Sequence, residues 1–200
     1  MKNFIGIAFL LLLVSCGEGK TEILGETAWQ KKMNAEFKDA TTSPLKDKDR
    51  KRFNGLDFFT FDSTFVVTAD FERTPDAKPF KMKTTTDRRP EYVQYGIATF
   101  VLEGKEHRLE IYQDLEQLTL NKFDPYLFLP FLDNTNGSST YGGGRYINLG
   151  MPKDSLIDID FNKAYNPLCA YNEKYSCPIV PRVNYIDAEI KAGVKAFNKD

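Results

Sequence analysis

Residues 140–146 read Thr-Tyr-Gly-Gly-Gly-Arg-Tyr. Successive glycines let backbone N–H groups converge on an anion, and an arginine behind them adds a bidentate fork. Gly142, Gly144 and Arg145 could therefore hold an anionic group, with Tyr141 and Tyr146 beside it. No Gly-Lys-Ser/Thr follows, so this is not a nucleotide phosphate loop. The same glycines also suit a loop that bends into a strand.

A second unusual run extends from Asp160 to Asn184, DFNKAYNPLCAYNEKYSCPIVPRVN. It has neither helical nor strand period, and it offers two thiols, several tyrosines and an amide. A pocket between the two runs would have the few polar groups among aromatics that mark small-molecule sites. Arg145 would take an anionic group, Tyr141, Tyr146, Tyr165 or Tyr171 would stack or bond, and Asn166 would offer its amide. An enzyme could use the same pocket, with Asp133 or Asp160 as acid or base and Arg145 stabilising negative charge. In a third reading both runs serve the fold of a structural or interaction protein. Whether the protein is an enzyme stays open at this point, and no cofactor is indicated.

Other chemistry is sparse. His107 is the sole histidine, and it alternates with Leu109 and Ile111, as a partly buried structural residue would. No His-Glu-x-x-His helix or Gly-x-Ser-x-Gly elbow exists. The cysteine spacing does not match the usual zinc pair, so no metal site is expected. Asp158 and Asp160 lie two apart, as on the solvated face of a strand.

These residues need elements to position them. Trp29, Met33 and Phe37 recur every four residues, which predicts an amphipathic helix from about Thr27 to Ala40. Pro44 breaks it, and KDKDRKRF suits a short second helix. The period then changes to two. Phe65, Val67, Ala69 and Phe71 alternate with polar neighbours, and so do Phe80, Met82 and Thr84. The run from Glu91 to Asp114 reads as two strands around Glu103-Gly104-Lys105. Ile157, Ile159 and Phe161 share one face of a later strand. Ile186, Ile190 and Val194, four apart, predict a C-terminal helix. Five to seven strands follow, giving an α+β fold: a mostly antiparallel, strongly curled or barrel-like sheet with an N-terminal and a C-terminal helix.

The N-terminus gives an address. After Met1-Lys2-Asn3, residues 4–14 are apolar. That run is too short for a membrane span, which needs about 20 residues, but it fits a secretory signal. Leu13-Val14-Ser15-Cys16 resembles a bacterial lipobox, which implies cleavage before Cys16 and lipid on its thiol. The expected organisation is a lipoprotein signal peptide at 1–15, a lipidated tether at 16–27 and a single globular domain at 28–200. The expected location is the bacterial cell envelope, anchored by lipid to a membrane, on the periplasmic face of the outer membrane or at the cell surface. Loss of residues 1–15 removes Lys2, leaving 26 basic and 28 acidic side chains, a net of 26 − 28 = −2. No basic stripe exists, so a nucleic-acid partner is not expected. Composition does not fix an oligomeric state.

With Cys16 lipidated, Cys169 and Cys177 remain. In an oxidising compartment they are expected to pair as a disulfide clipping the irregular run. The alternative is a reactive dithiol, although nothing resembles Cys-x-x-Cys.

Two long motifs carry a family resemblance: LFLPFLDNTNGSSTYGGGRYINL at 127–149 and DIDFNKAYNPLCAYNEKYSCPIVPRVNYIDAEIKAG at 158–193. They resemble the uncharacterised prokaryotic family catalogued as domain of unknown function 1684. The family pattern falls on Pro130, Phe131 and Asp133, then on Thr140, Tyr141, Gly142, Gly144, Arg145 and Tyr146. It continues from Asp160 to Tyr171 and ends on Cys177, Pro178 and Asn184. The helix at Trp29 and Ser43-Pro44-Leu45 are similar too. Val180 and Arg182 stand where the family has proline and an acid, and Val194 replaces another acid. The resemblance implies a shared fold and supplies no reaction.

Overall fold

The computed structural model describes residues 24–119, 126–152 and 154–197. The expected signal peptide at 1–15, Cys16 and most of the tether lie outside the described residues.

The first helix, α1, spans Ala28–Lys38. Its start is fixed by a capping box: Gln30 N–H donates to Thr27 Oγ1 at 3.2 Å, and the Gln30 side chain accepts from Thr27 N–H. Asn34 and Phe37 are buried with Gln30, while Trp29 and Met33 are half-buried against a satellite cluster that includes Phe58. Asn34 is buried because its amide joins two chain segments: it donates to Leu24 O and accepts from Leu56 N–H, both at 2.7 Å. Thr27→Ala is expected to lower unfolding free energy by about 1 kcal/mol. Urea denaturation checks this, and an unchanged midpoint would mean the cap contributes nothing. A second short helix, α2, spans Asp47–Arg52, with acids in its first turn and bases in its last, matching the helix dipole.

The sheet follows. Its elements are β1 (Val66–Arg73), β2 (Phe80–Lys81), β3 (Glu91–Leu102), β4 (Lys105–Asp114), the short helix α3 (Leu115–Thr119), β5 (Leu127–Asp133), β6 (Arg145–Leu149), β7 (Leu156–Asp160) and β8 (Tyr185–Ile186). Strand order is β6-β5-β4-β3-β1-β7, antiparallel throughout, with β2 on β3 and β8 parallel to β5. The end strands β6 and β7 approach each other, so the sheet curls into a half-barrel. The β3–β4 hairpin turns through Glu103 and Gly104, both at positive φ, as a two-residue turn requires.

The alternating residues of the strands meet inside the curl. Ala69 and Phe71, Phe100 and Leu102, Leu109 and Ile111, Leu129 and Phe131, and Ile157, Ile159 and Phe161 form one core. That face is apolar because side chains alternate across a strand.

The expected C-terminal helix does not form. After β8 the chain runs irregularly to residue 197, apart from an isolated bridge between Phe58 and Val194. Ile186, Ala188, Ile190, Ala192 and Val194 are buried, and the intervening Asp187, Glu189 and Lys191 are exposed. The true period is two. The backbone also bonds outward rather than to itself: Val194 N–H donates to Ala164 O at 2.9 Å, and the carbonyls of Ile190 and Ala192 accept from Arg145. Gly193 sits at φ +77°, and a Cβ there would fall 2.5 Å from Ala164 O, so the approach is open to glycine alone.

Candidate functional site

Arg145 begins β6 and has no solvent exposure. Its guanidinium pairs with Asp133 Oδ2 at 2.9 Å, donates to Ile190 O at 2.7 Å and also reaches Ala192 O. Asp133 Oδ1 accepts from Thr135 N–H at 2.8 Å and Ile190 N–H at 3.3 Å. Burial pulls the arginine's proton affinity down and Asp133 works against that pull. This corrects the expectation that Arg145 takes an external anion: its two terminal nitrogens are taken by a buried carboxylate and two carbonyls, and its Nε, without a partner among the described residues, is itself buried. Asp133 is equally enclosed and is not placed to act as an acid or base. Gly144 lets the chain pass Phe131, because a Cβ there would lie 2.6 Å from Phe131 O at φ +85°.

The two unusual runs do meet. Tyr146 and Tyr165 exchange backbone hydrogen bonds, each 2.9 Å, and their rings pack edge to face. Tyr146 also donates its hydroxyl to Pro178 O. Asn166 is buried and donates to Lys195 O at 2.9 Å and Tyr171 Oη at 3.3 Å; its Oδ1 has no partner among the described residues. Tyr171 is buried between the rings of Phe37 and Phe197. Burial raises the pKa of Tyr146, Tyr165 and Tyr171, so all three stay neutral phenols. At the surface of this junction stand Gly142 and Gly143, half-buried Tyr141 and half-buried Cys169. The Tyr141 hydroxyl lies 4.0 Å from Cys169 Sγ.

The expected disulfide is absent. Cys169 and Cys177 are both free thiols, one half-buried and one buried. They are nonetheless in contact, with Cys169 N–H donating to Cys177 Sγ at 3.1 Å. The hydrogen bond from Cys177 holds the Cys169 thiol down at about 6, and Tyr141 and Thr85 act the same way. The same bond, with burial, pushes Cys177 up. Burial, then the neighbouring Cys169, pushes Tyr141 up to about 12.

Asp160 is directed elsewhere. Its carboxylate accepts from Asn162 and pairs with Lys163 at 3.3 Å. Asp158 bonds the Thr68 hydroxyl across β1 and β7. His107 is buried beside Phe100, facing with Leu109 and Ile111; its Nε2 has no partner among the described residues. Among those residues no group of three or more His, Cys, Asp or Glu is placed to hold a metal ion.

Two features had no sequence signal. Thr85 approaches the thiols from a loop remote in sequence, accepting from Cys177 N–H on its hydroxyl at 3.1 Å. An open depression of about 780 Å³ lies among Phe59, Phe61, Asp62, Glu103, Glu189 and Lys191. Its Lys191 is paired with its own Glu189 at 2.6 Å. The thiols and Tyr141 stand at the loop junction rather than in this depression, so the junction is the better candidate.

A solution NMR structure of an uncharacterized protein from Haloarcula marismortui is similar, with TM-score 0.64 and 29% identity over 84% of this chain and 94% of that one. No curated protein matches the chain. The family described as "Protein of unknown function (DUF1684)" matches residues 51–195, which include β1 to β8 and both loop motifs, and the chain belongs to that family.

Proposed function

We propose that this protein is a lipid-anchored component of the bacterial cell envelope that binds a small molecule where the 140–146 and 165–177 loops meet. One observation carries the binding reading: the loops bring Tyr141, Gly142, Gly143 and Cys169 to the surface, and Asn166, buried in the second of them, keeps an oxygen without a donor among the described residues. With Arg145 occupied by Asp133, the ligand suited to this junction is a neutral hydrogen-bond donor rather than an anion. Anchoring rests on the apolar run and Leu13-Val14-Ser15-Cys16; acyl chains contribute about 0.8 kcal/mol per buried methylene.

A second reading, a structural or interaction lipoprotein, is favoured by a specific fact. Arg145, Asp133 and Asn184 are buried and bonded to backbone, so much of the motif serves the fold.

The test begins with fractionation. Wild-type chain is expected in the membrane fraction with an acylated N-terminal peptide, and Cys16→Ala is expected to lose that acylation and, behind a cleavable secretion signal, to become soluble. An unmodified Cys16 in the mature chain would overturn the anchor. Native mass spectrometry of the soluble form then addresses binding. A native mass above the denatured mass, reduced to it by Tyr141→Ala, supports the site. Equal masses would move the conclusion to the structural reading.

A further inference from the structure

We propose that Cys169 and Cys177 form a dithiol–disulfide exchange site, in which Cys169 attacks a small-molecule disulfide and Cys177 resolves the product. This goes beyond the binding reading, since it needs the two sulfurs and no bound ligand.

The geometry assigns the roles. Cys169 lies in a short 3₁₀ turn, Leu168–Ala170, directly after Pro167, and the residue is half-buried. Cys177 is buried. A disulfide arriving from solvent therefore meets Cys169 first. The two cysteines are carried by separate scaffolds. Tyr171 roots the Cys169 turn between Phe37 and Phe197. Cys177 is clamped to Thr85 by two bonds, Thr85 N–H to Cys177 O at 2.9 Å and Cys177 N–H to Thr85 Oγ1 at 3.1 Å. What joins the scaffolds at the sulfurs is the Cys169 N–H bond to Cys177 Sγ. The resolving thiol thus waits in contact with the attacking residue.

The surroundings favour the thiolate on the exposed side. Cys177, Tyr141 and Thr85 all offer hydrogen bonds to Cys169, which hold its thiol at about 6. A thiolate is the nucleophile in exchange, and an attacking thiol with a pKa near ambient pH is the most effective. Tyr141 stays protonated at neutral pH and remains a donor to the developing charge.

The step balances without another reagent. The Cys169 thiolate attacks one sulfur of R–S–S–R. That bond breaks, a mixed disulfide forms, and the departing thiolate takes up the proton Cys169 released. Cys177 then loses its proton and attacks Cys169 Sγ, and the second R–S⁻ leaves with that proton. Two protein thiols are oxidised to one disulfide, and the small disulfide is reduced to two thiols.

Glutathione disulfide serves as the probe, added to reduced, detergent-purified full-length chain, with acid quench and peptide mapping by mass. The expected result is rapid loss of two hydrogens across the Cys169 and Cys177 peptides, without accumulated glutathione. Cys177→Ser is expected to trap one glutathione on Cys169. Alkylation of reduced wild-type Cys169 by iodoacetamide is expected to rise with a midpoint near 6, which reports on the site even if the serine variant does not fold. Glutathione persisting on wild-type Cys169, no adduct on folded Cys177→Ser, or an alkylation midpoint at about 8.5, the value of an ordinary free thiol, would each overturn the proposal.

Discussion

Arg145→Met is expected to lower the unfolding free energy by about 3–5 kcal/mol, the range for removing one partner of a buried ion pair. The magnitude follows from what is left behind. Asp133, also without exposure, would keep its charge with no counter-ion, and the carbonyls of Ile190 and Ala192 would lose their donor. Those carbonyls belong to the extended segment after β8, so the loss would spread from the β5–β6 hairpin to the C-terminal run. Asp133→Leu alone should be of similar cost, because it strands the guanidinium. The double variant should recover part of the loss, since two apolar groups of similar volume can replace a buried pair. Urea denaturation of the soluble domain, at low and high salt, reads all three. Salt should matter little, as screening is weak for buried charges. An unchanged midpoint for Arg145→Met would show that the pair does not hold the fold, and would return Arg145 to the ligand site.

The sequence and the structure part company for identifiable reasons. The half-barrel was legible because its strands alternate cleanly: Phe65, Ala69 and Phe71, or Ile157, Ile159 and Phe161, could face one way only. The N-terminal helix was legible by its four-residue spacing, although the polar Gln30 and Asn34 are more buried than Trp29 and Met33. In the C-terminal run a spacing of four at Ile186, Ile190 and Val194 is also a multiple of two. Ala188 and Ala192, also buried, complete the strand-like period that the larger side chains alone disguised. Arg145 was harder. Glycine followed by arginine reads the same whether the anion is a ligand or an aspartate of the same chain. Asp133 is brought opposite by the β5–β6 hairpin, a tertiary fact. The meeting of the two loops was legible as two unusual runs, but which of their side chains would be buried was not. The thiols, expected as a disulfide within one run, stand free, and Thr85 enters beside them from a loop that no motif marks.

Asn184→Ala is the second large effect, expected at about 3 kcal/mol from three backbone groups left unbonded at roughly 1 kcal/mol each. Asn184 is fully buried. Its Oδ1 accepts from Glu110 N–H at 2.8 Å, and its Nδ2 donates to Glu110 O at 2.8 Å and Pro130 O at 2.7 Å. Glu110 is in β4 and Pro130 in β5, neighbouring strands whose ladder carries the single register pair Tyr112↔Phe128 among the described residues. Proline has no N–H to continue a ladder, so the strands part at Pro130, and β8 pairs with β5 just beyond, at Leu132 and Asp133. The Asn184 amide bridges the place where β4 and β5 separate, doing with one side chain what a run of backbone bonds does elsewhere. Asn184→Asp tests this more sharply than alanine does. It keeps the shape and one acceptor but loses both donated bonds and buries a charge, so it should cost at least as much. Amide exchange at Glu110 should quicken in Asn184→Ala beyond the change at Ile97, in the regular β3–β4 ladder, and less so in Asn184→Asp, which keeps the acceptor for that N–H. A stability change within about 0.5 kcal/mol, the range of an ordinary surface substitution, would mean that β8 alone holds the gap. In that case the asparagine shared with the family pattern would need a role outside the fold.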